Sequence, residues 1–338
     1  MKILFIGGYG NISWWCTKRA IEQGNEVVLL NRGQTYRTRR PIPDEARVIV
    51  ADIRDAAQTR AALGDESFDA VCDFLCYDAE DARRAIALFT GRTKQYVFVS
   101  SESVYRRLSS SLPFSETAPK YDLAEASPYI AGKLAAEQVF IEAQERTGFP
   151  LTIVRPGLTY DTIVPVSIGH NCFTVPQRCL DGKPLYVAGE GNNLCAFTHS
   201  RDFADPFCCL LGNPACIGED YNIATNQWRT WNEASEDLLD ALHVEHRRII
   251  HIPFDDVLRL NLPLAPGLMR ERMLHLIFDT SKIRRIAKDW TPKVDFPSGI
   301  RMTVAWLYET DAHRRIVPKV AAQMAALDEI YAKGGRDS

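Results

Sequence analysis

Short runs of apolar residues recur through the first half of the chain, and most are followed by a stretch with the periodicity of a helix. Each run has the length of a strand that is buried on both faces of a parallel sheet. The predicted strands are residues 3–6, 27–30, 47–50, 70–75, 96–99 and 151–154, and the predicted helices are residues 11–23, 60–63, 79–89 and 127–147. This alternation predicts an α/β fold built on a doubly wound parallel sheet.

The pattern becomes less regular after Pro156, where further prolines interrupt the apolar runs. Strands are predicted at residues 185–187, 196–199, 221–224 and 248–252, and helices at residues 231–242, 255–260 and 268–277. Thr230 or Asn232 would cap the first of these helices. We therefore predict a core region over residues 1–155. A smaller α/β region over residues 156–338 would mainly bind substrate and return some segments to the main sheet.

The composition is that of a globular protein, with 46% hydrophobic and 25% charged residues. The net charge of −3 argues against a nucleic-acid partner. No apolar run reaches the ~18 residues of a membrane span, and the N-terminal residues lack the pattern of a signal peptide. Nine cysteines without the paired spacing of a metal site predict reduced thiols, no bound metal and a cytoplasmic location.

Three glycines, Gly7, Gly8 and Gly10, directly follow the first predicted strand and precede a helix. Gly7 suits a tight turn, and Gly10 has no Cβ, so the backbone can approach a pyrophosphate there. The helix that begins near Asn11 and Ile12 would offer its N–H groups to the same anion. Strand, glycine turn and helix in this order predict a dinucleotide site, although the third small position is Ser13. An ordinary turn between strand and helix is the alternative.

The residues at the ends of the second and third strands bear on the choice of cofactor. Asn31 occupies the position where an acidic residue would bind the adenosine ribose, and Arg32 follows it. Asparagine lacks the charge that repels a 2′-phosphate, and arginine can pair with one, which favours NADP over NAD. A solvated Arg32 is the alternative. Asp52 and Ile53 would hold the adenine, unless Asp52 instead caps a helix.

A second group of residues has the chemistry of proton transfer at a carbinol or carbonyl oxygen. Ser101 lies just beyond the fifth predicted strand, and Tyr129 and Lys133 lie one turn apart on a predicted helix. An ammonium group beside a phenol favours the phenolate, so Lys133 would lower the pKa of Tyr129 toward neutrality. A phenol tuned in this way gives or takes a proton, and the serine hydroxyl can hold the same oxygen.

Together these motifs resemble the extended short-chain dehydrogenase/reductases, the NAD-dependent epimerase/dehydratase group that acts largely on nucleotide sugars. The end of the second strand, Asn31-Arg32-Gly33, is similar to the NRG-type subset of that family. The match continues through further motifs, at residues 154–157, 197–204, 221–223 and 279–282. Where the family has a pair of alanines after the fourth strand, this chain has Leu75-Cys76-Tyr77.

The resemblance implies a Rossmann-type core over residues 1–155 that binds NAD or NADP, and a homodimer. It implies a Ser–Tyr–Lys triad at Ser101, Tyr129 and Lys133, and cofactor contacts at Gly7, Gly10, Asn11, Ile12, Asn31, Arg32, Asp52, Ile53, Tyr129, Lys133 and Pro156. The chain would then be an oxidoreductase, epimerase or dehydratase for a sugar or nucleotide sugar. The alternative is a non-catalytic RNA-binding or regulatory relative that keeps the fold.

Glu102 follows the triad serine, where the family's dehydratases carry acidic residues that transfer protons at sugar carbons. By this resemblance Glu102 would take a proton from the carbon next to a keto group. The alternative is a glutamate that faces solvent or caps a neighbouring turn.

Overall fold

The computed structural model describes residues 1–33, 40–108, 111–169, 172–259, 262, 264 and 271–332. Its contacts divide the chain into two compact units. The first unit comprises Met1–Thr159, Ser200–Asn226 and Phe278–Lys293, and the second comprises Tyr160–His199, Gln227–Ile277 and Val294–Ser338. The first unit therefore contains two segments from the second half of the sequence, and both are described with it below.

Thirteen strands lie in the described part of the chain. They are β1 (Lys2–Ile6), β2 (Glu26–Asn31), β3 (Arg47–Val50), β4 (Ala70–Asp73), β5 (Tyr96–Val99), β6 (Leu151–Pro156), β7 (Leu158–Tyr160), β8 (Leu185–Ala188), β9 (Leu194–Cys195), β10 (Phe197–His199), β11 (Asp220–Ile223), β12 (Arg229–Thr230) and β13 (Ile249–Ile252).

The α-helices among the described residues follow the same numbering. They are α1 (Ser13–Glu22), α2 (Ala56–Leu63), α3 (Ala79–Phe89), α4 (Pro128–Thr147), α5 (Thr174–Leu180), α6 (Ser200–Leu210), α7 (Trp231–Ala241), α8 (Phe254–Arg259), α9 (Ser281–Ile286), α10 (Phe296–Glu309) and α11 (Pro318–Leu327).

The first unit is built on a seven-stranded sheet in the order β11-β6-β5-β4-β1-β2-β3, and every pairing described in it is parallel. Ile6 lies opposite Leu30 on one side and Asp73 on the other, so the strands end together at one edge. The predicted Rossmann-type sheet is thus confirmed. Because the carboxyl ends of parallel strands form the ligand-binding edge of such sheets, this edge positions the site.

Both faces of this sheet are covered by hydrophobic clusters, as expected for a parallel sheet. Alternate side chains of β1 point to opposite faces, so Ile3 and Phe5 enter one cluster while Leu4 and Ile6 enter the other. The two clusters bury all four of these side chains completely. Short apolar strands without polar alternation are therefore explained by burial on both sides.

Several element boundaries differ from those predicted, for local reasons. The fourth strand ends at Asp73 rather than residue 75, because the Asp73 carboxylate accepts hydrogen bonds from the Leu75 and Cys76 N–H groups and turns the chain. Helix α2 begins at Ala56, four residues before the predicted start, because Asp55 caps it. The first helix begins at Ser13, not residue 11. Of the helix predicted at residues 268–277, residues 268–270 lie outside the described residues. Only residues 271 and 272 of the remainder are helical, so the prediction is wrong for residues 273–277.

The second unit contains two small sheets, the parallel pair β8–β13 and the antiparallel pair β9–β12. Thr230 caps α7 and forms a capping box with Glu233, so Thr230 rather than Asn232 is the cap. Asp328 joins Arg178 and Tyr186 by hydrogen bonds of 2.7 and 2.9 Å.

Among the described residues, no helix combines the length and apolar character needed to cross a membrane. Within the same part of the chain, no group of three or more His, Cys, Asp and Glu side chains is arranged to hold a metal ion.

Candidate active site

The glycine turn after β1 is closely packed. Gly7 has a φ of +79°, in the left-handed region that favours glycine, and its N–H donates to the Leu30 carbonyl at 3.1 Å. A Cβ at Gly7 would lie 2.6 Å from the Leu75 side chain, and a Cβ at Gly8 would lie 2.6 Å from that of Leu29. Both glycines are therefore required by the packing of the turn itself.

Ser13, at the third small position, is bonded to the turn rather than merely tolerated by it. Its hydroxyl donates to the Gly7 carbonyl at 2.6 Å and accepts from the Gly10 N–H at 2.8 Å. Asn11 and Ile12 precede the helix, and the Asn11 amide lies 3.5 Å from the Thr159 carbonyl. The buried Ser13 hydroxyl thus fixes the turn that a glycine at this position would leave unbonded.

The strand ends beyond the turn offer polar groups where the sequence predicts the adenosine. Asn31 is buried, and its Oδ1 accepts from the Gly33 N–H at 2.9 Å. Its Nδ2 has no hydrogen-bond partner among the described residues, which leaves a buried donor for a ligand acceptor. Arg32 is exposed. The residues present therefore fit the sugar of a dinucleotide.

Asp52 and Ile53 follow β3 without capping a helix. The Asp52 Oδ1 accepts from the Arg54 N–H at 3.0 Å, whereas Asp55 caps α2. The alternative interpretation of Asp52 as a helix cap is therefore wrong. Ile53 packs against the hydrophobic cluster of the sheet, and Pro156 ends β6 opposite Ile223.

Ser101 and Tyr129 meet at the carboxyl end of β5. Ser127 caps α4 and Pro128 begins it, which places Tyr129 in the first turn with 49% of its surface exposed. Burial of the phenol raises the pKa of Tyr129, a hydrogen bond with Ser101 lowers it, and the Glu102 carboxylate raises it again. The net pKa of Tyr129 is higher than that of an ordinary tyrosine.

Lys133 is bound to the backbone of the neighbouring strands. Its ammonium donates to the Cys76 carbonyl at 2.6 Å and to the Val99 carbonyl at 2.9 Å, and the residue is only 2% exposed. Burial lowers the pKa of Lys133. The expected lowering of the Tyr129 pKa is therefore not found, because burial of the phenol dominates and the Lys133 ammonium is engaged with two carbonyls.

Glu102 is buried in an ion pair. Its Oε2 accepts from the Arg107 guanidinium at 2.8 Å, and its Oε1 accepts from the Ser103 hydroxyl at 3.2 Å. The interpretation of Glu102 as a solvent-facing residue is wrong, since both side chains of the pair are almost fully buried. To take a proton from a substrate, Glu102 would have to leave Arg107.

A buried ionic network beside the predicted triad residues was not predicted from the sequence. Glu137, one turn beyond Lys133 on α4, receives two hydrogen bonds of 2.8 Å from Arg155 on β6. The Ser100 hydroxyl donates to the same carboxylate at 2.6 Å, and Arg155 also pairs with Asp220 on β11 at 2.6 Å. Arg155 is a charged residue inside the largely apolar strand β6, and this was the sequence signal for a buried ion pair. The spacing of residues along the chain does not reveal its partner.

Two comparisons with known sequences place these features in a family. A profile described as the NAD dependent epimerase/dehydratase family matches residues 3–224. The chloroplast stem-loop binding protein of 41 kDa b from Arabidopsis thaliana is 24% identical over 313 residues, which cover 88% of this chain and 77% of that protein. A UDP-glucose 4-epimerase of Lactobacillus helveticus is 27% identical over 172 residues, which cover 46% of this chain and 51% of the epimerase.

Solved structures share the fold. The crystal structure of dTDP-glucose 4,6-dehydratase from Bacillus anthracis in complex with NAD has a TM-score of 0.72 with this chain at 19% identity. The match covers 92% of this chain and 97% of the dehydratase.

Proposed function

The chain belongs to the NAD-dependent epimerase/dehydratase family, and on that basis we propose that it changes the oxidation state or configuration of a hydroxyl-bearing carbon of a nucleotide sugar. The family membership supports the coarse activity, and relatives named as UDP-glucose 4-epimerase and dTDP-glucose 4,6-dehydratase support the substrate class.

One observation carries this proposal: a single loop joins the glycine turn to the triad lysine. Leu75 lies against Gly7, and the next residue, Cys76, accepts the shortest hydrogen bond of Lys133. The dinucleotide turn and the proton-transfer group thus flank a short stretch of backbone at one edge of the sheet. This proximity supports the proposal, because ligands of such sheets bind at this edge and the cofactor must lie next to the group that transfers the proton.

The residues that would hold the cofactor are those at the strand ends. Gly7, Gly10, Asn11 and Ile12 would face the pyrophosphate, and Asn31, Arg32, Asp52 and Ile53 the adenosine, with Pro156 near the nicotinamide. When bound, a nicotinamide cofactor supplies the group that accepts or returns a hydride. The family name indicates NAD, while Asn31 and Arg32 would also accept the 2′-phosphate of NADP.

The chain's own residues would perform the proton transfer. Tyr129 would take the proton of the substrate hydroxyl, and Ser101 would hold the same oxygen by its hydroxyl. Lys133 has three N–H donors and gives two of them to carbonyls, so the third remains for a hydroxyl of the cofactor's ribose. The raised pKa of Tyr129 implies that this step proceeds better at alkaline pH.

The ion pair of Glu102 favours epimerisation or net redox over dehydration. Elimination of water from a sugar needs an acid and a base at neighbouring carbons. Glu102 is the acidic residue next to the triad serine, and both of its oxygens are already bound by Arg107 and Ser103. We therefore propose that Glu102 acts through its charge rather than as a base.

Two measurements test the proposed function. Native mass spectrometry of the purified protein should show a retained NAD if it is an epimerase, and an empty site that binds added cofactor if it is a reductase. Tyr129→Phe should abolish turnover of nucleotide sugars and leave cofactor binding within about twofold. Tyr308→Phe, at an equally exposed tyrosine of the second unit, is the matched control. Unchanged turnover in Tyr129→Phe would remove the triad assignment.

A second candidate function is binding of RNA. The relative from Arabidopsis is named for stem-loop binding, and the half-buried Trp14 and Trp15 of α1 lie beside basic side chains of α1 and of the segment that follows residue 39. The cations of Lys18 and Arg40 lie 5.4 and 5.2 Å from the ring centre of Trp14, and Trp15 packs edge-on against Trp14. Such surfaces stack nucleobases. RNA affinity that is lost in Trp14→Ala, without turnover of any nucleotide sugar, would favour this function.

A further inference from the structure

Tyr77 occupies a position where the sequence departs from its family, and it lies beside the proposed triad. Its ring centre is 4.7 Å from the Lys133 ammonium, which also lies 5.1 Å from the ring centre of Phe98. Tyr77 is 41% exposed while Lys133 is 2% exposed. An exposed aromatic ring thus stands next to a buried cation at the ligand-binding edge of the sheet.

The backbone at Tyr77 is held from two sides, which fixes the point from which its side chain extends. Its N–H donates to Asp81 of α3 at 3.0 Å. On the other side, a Cβ added at Gly132 of α4 would lie 2.5 Å from the Tyr77 carbonyl oxygen. Only a glycine next to Lys133 allows this approach. The short distance therefore ties the loop of Tyr77 to the helix turn that carries the lysine.

We propose that Tyr77 is a positioning residue for Lys133. The ring face of Tyr77 holds the Lys133 ammonium and shields it from solvent. One N–H of the ammonium is thereby directed to the ribose of the nicotinamide cofactor. The part of this inference that concerns the cofactor rests on the proposed function, whereas the shielding of Lys133 by Tyr77 is independent of it. A cation over an aromatic face is attracted by the ring quadrupole, and more strongly when water is excluded. The two carbonyl bonds and the ring together orient the remaining donor.

The test compares Tyr77→Leu with Tyr77→Phe, which keeps the aromatic face. The matched control is Tyr308→Leu in the second unit, where the Arg314 guanidinium lies over the ring at the same 4.7 Å and the tyrosine is 49% exposed. The first readout is the rate of amine acylation at Lys133, measured by mass spectrometry without cofactor. We expect about tenfold faster labelling in Tyr77→Leu, and rates within about twofold of the parent in Tyr77→Phe and Tyr308→Leu.

The second readout is the dissociation constant of NAD, with the melting temperature measured alongside. We expect Tyr77→Leu to weaken NAD binding about tenfold and Tyr77→Phe to restore it. Unchanged labelling or unchanged NAD affinity in Tyr77→Leu would overturn the assignment, as would an equal loss in Tyr77→Phe. If the parent protein binds neither NAD nor NADP, the proposed function fails and the labelling ratio alone decides whether Tyr77 shields Lys133.

Discussion

The Ser100 hydroxyl donates a 2.6 Å hydrogen bond to the Glu137 carboxylate and so joins the end of β5 to the middle of α4. Ser100 precedes Ser101, and Glu137 lies one turn beyond Lys133. The two elements that carry the proposed triad are therefore linked directly behind it. Arg155 holds the same carboxylate by two further bonds and is itself almost fully buried.

Ser100→Ala should reduce turnover by more than its loss of stability would explain. Loss of a buried hydrogen bond to a charged acceptor costs about 1.5–3 kcal/mol, and it frees α4 to shift against β5. Small shifts of catalytic groups are expensive, so we expect kcat to fall about tenfold. The control is Ser235→Ala, which removes a buried 2.7 Å hydrogen bond within α7 of the second unit. It should lower the free energy of unfolding without lowering kcat; equal kcat values in both variants would contradict the positioning role.

The pairing of Glu137 with Arg155 should appear as acid sensitivity of the fold. Burial alone would raise the pKa of Glu137, but the Arg155 guanidinium holds it below the ordinary value of 4.5. Stability from this pair is complete above pH 4.5 and is lost as the pH falls through the lowered pKa. Urea denaturation of Glu137→Gln should thus show a lower free energy of unfolding near neutrality and a shallower decline in acid. Glu142→Gln, at an exposed site on α4, is the control, and its free energy of unfolding should decline in acid as steeply as that of the parent protein.

The sequence predicted the sheet well because burial on both faces leaves a direct pattern in it. Strand β5, which is buried along its whole length, was predicted with its observed bounds. Strand β3 was also predicted with its observed bounds from its apolar residues, although it is the edge strand and only Ile49 of it is buried. The placement of Ser101 beyond the end of β5 and of Tyr129 and Lys133 one turn apart on α4 was also predictable, because it follows from local geometry. Residues such as these carry their signal within a few positions of the chain.

The interactions around the motif were not predictable, because no pattern in the sequence identifies the partners. Arg107 neutralises Glu102, and Tyr77 covers Lys133, yet neither pair has a spacing that a pattern would reveal. The pKa of Tyr129 was predicted with the wrong sign for the same reason. The lysine one turn away mattered less than the burial of the phenol and the carboxylate of Glu102.

Asn31→Asp should change the choice of cofactor. The introduced carboxylate would still accept from the Gly33 N–H, but it would repel a 2′-phosphate and accept from a ribose hydroxyl. We expect the affinity for NADP relative to NAD to fall at least about tenfold, measured by titration of both cofactors. Arg32→Ala should weaken the binding of NADP and leave the binding of NAD unchanged. An unchanged ratio in both variants would show that the adenosine ribose does not lie at the end of β2.

Glu102→Gln should shift the pH profile of the reaction rather than abolish it. The Glu102 carboxylate raises the pKa of Tyr129, and Glu102→Gln removes that negative charge. This change favours the phenolate, so the pKa of Tyr129 falls and the rise of kcat for alcohol oxidation should move to lower pH, measured from about pH 6 to about pH 10. Glu125→Gln, which removes a surface partner of Arg106, should leave the profile in place. Loss of turnover at every pH would instead identify Glu102 as a proton-transfer residue.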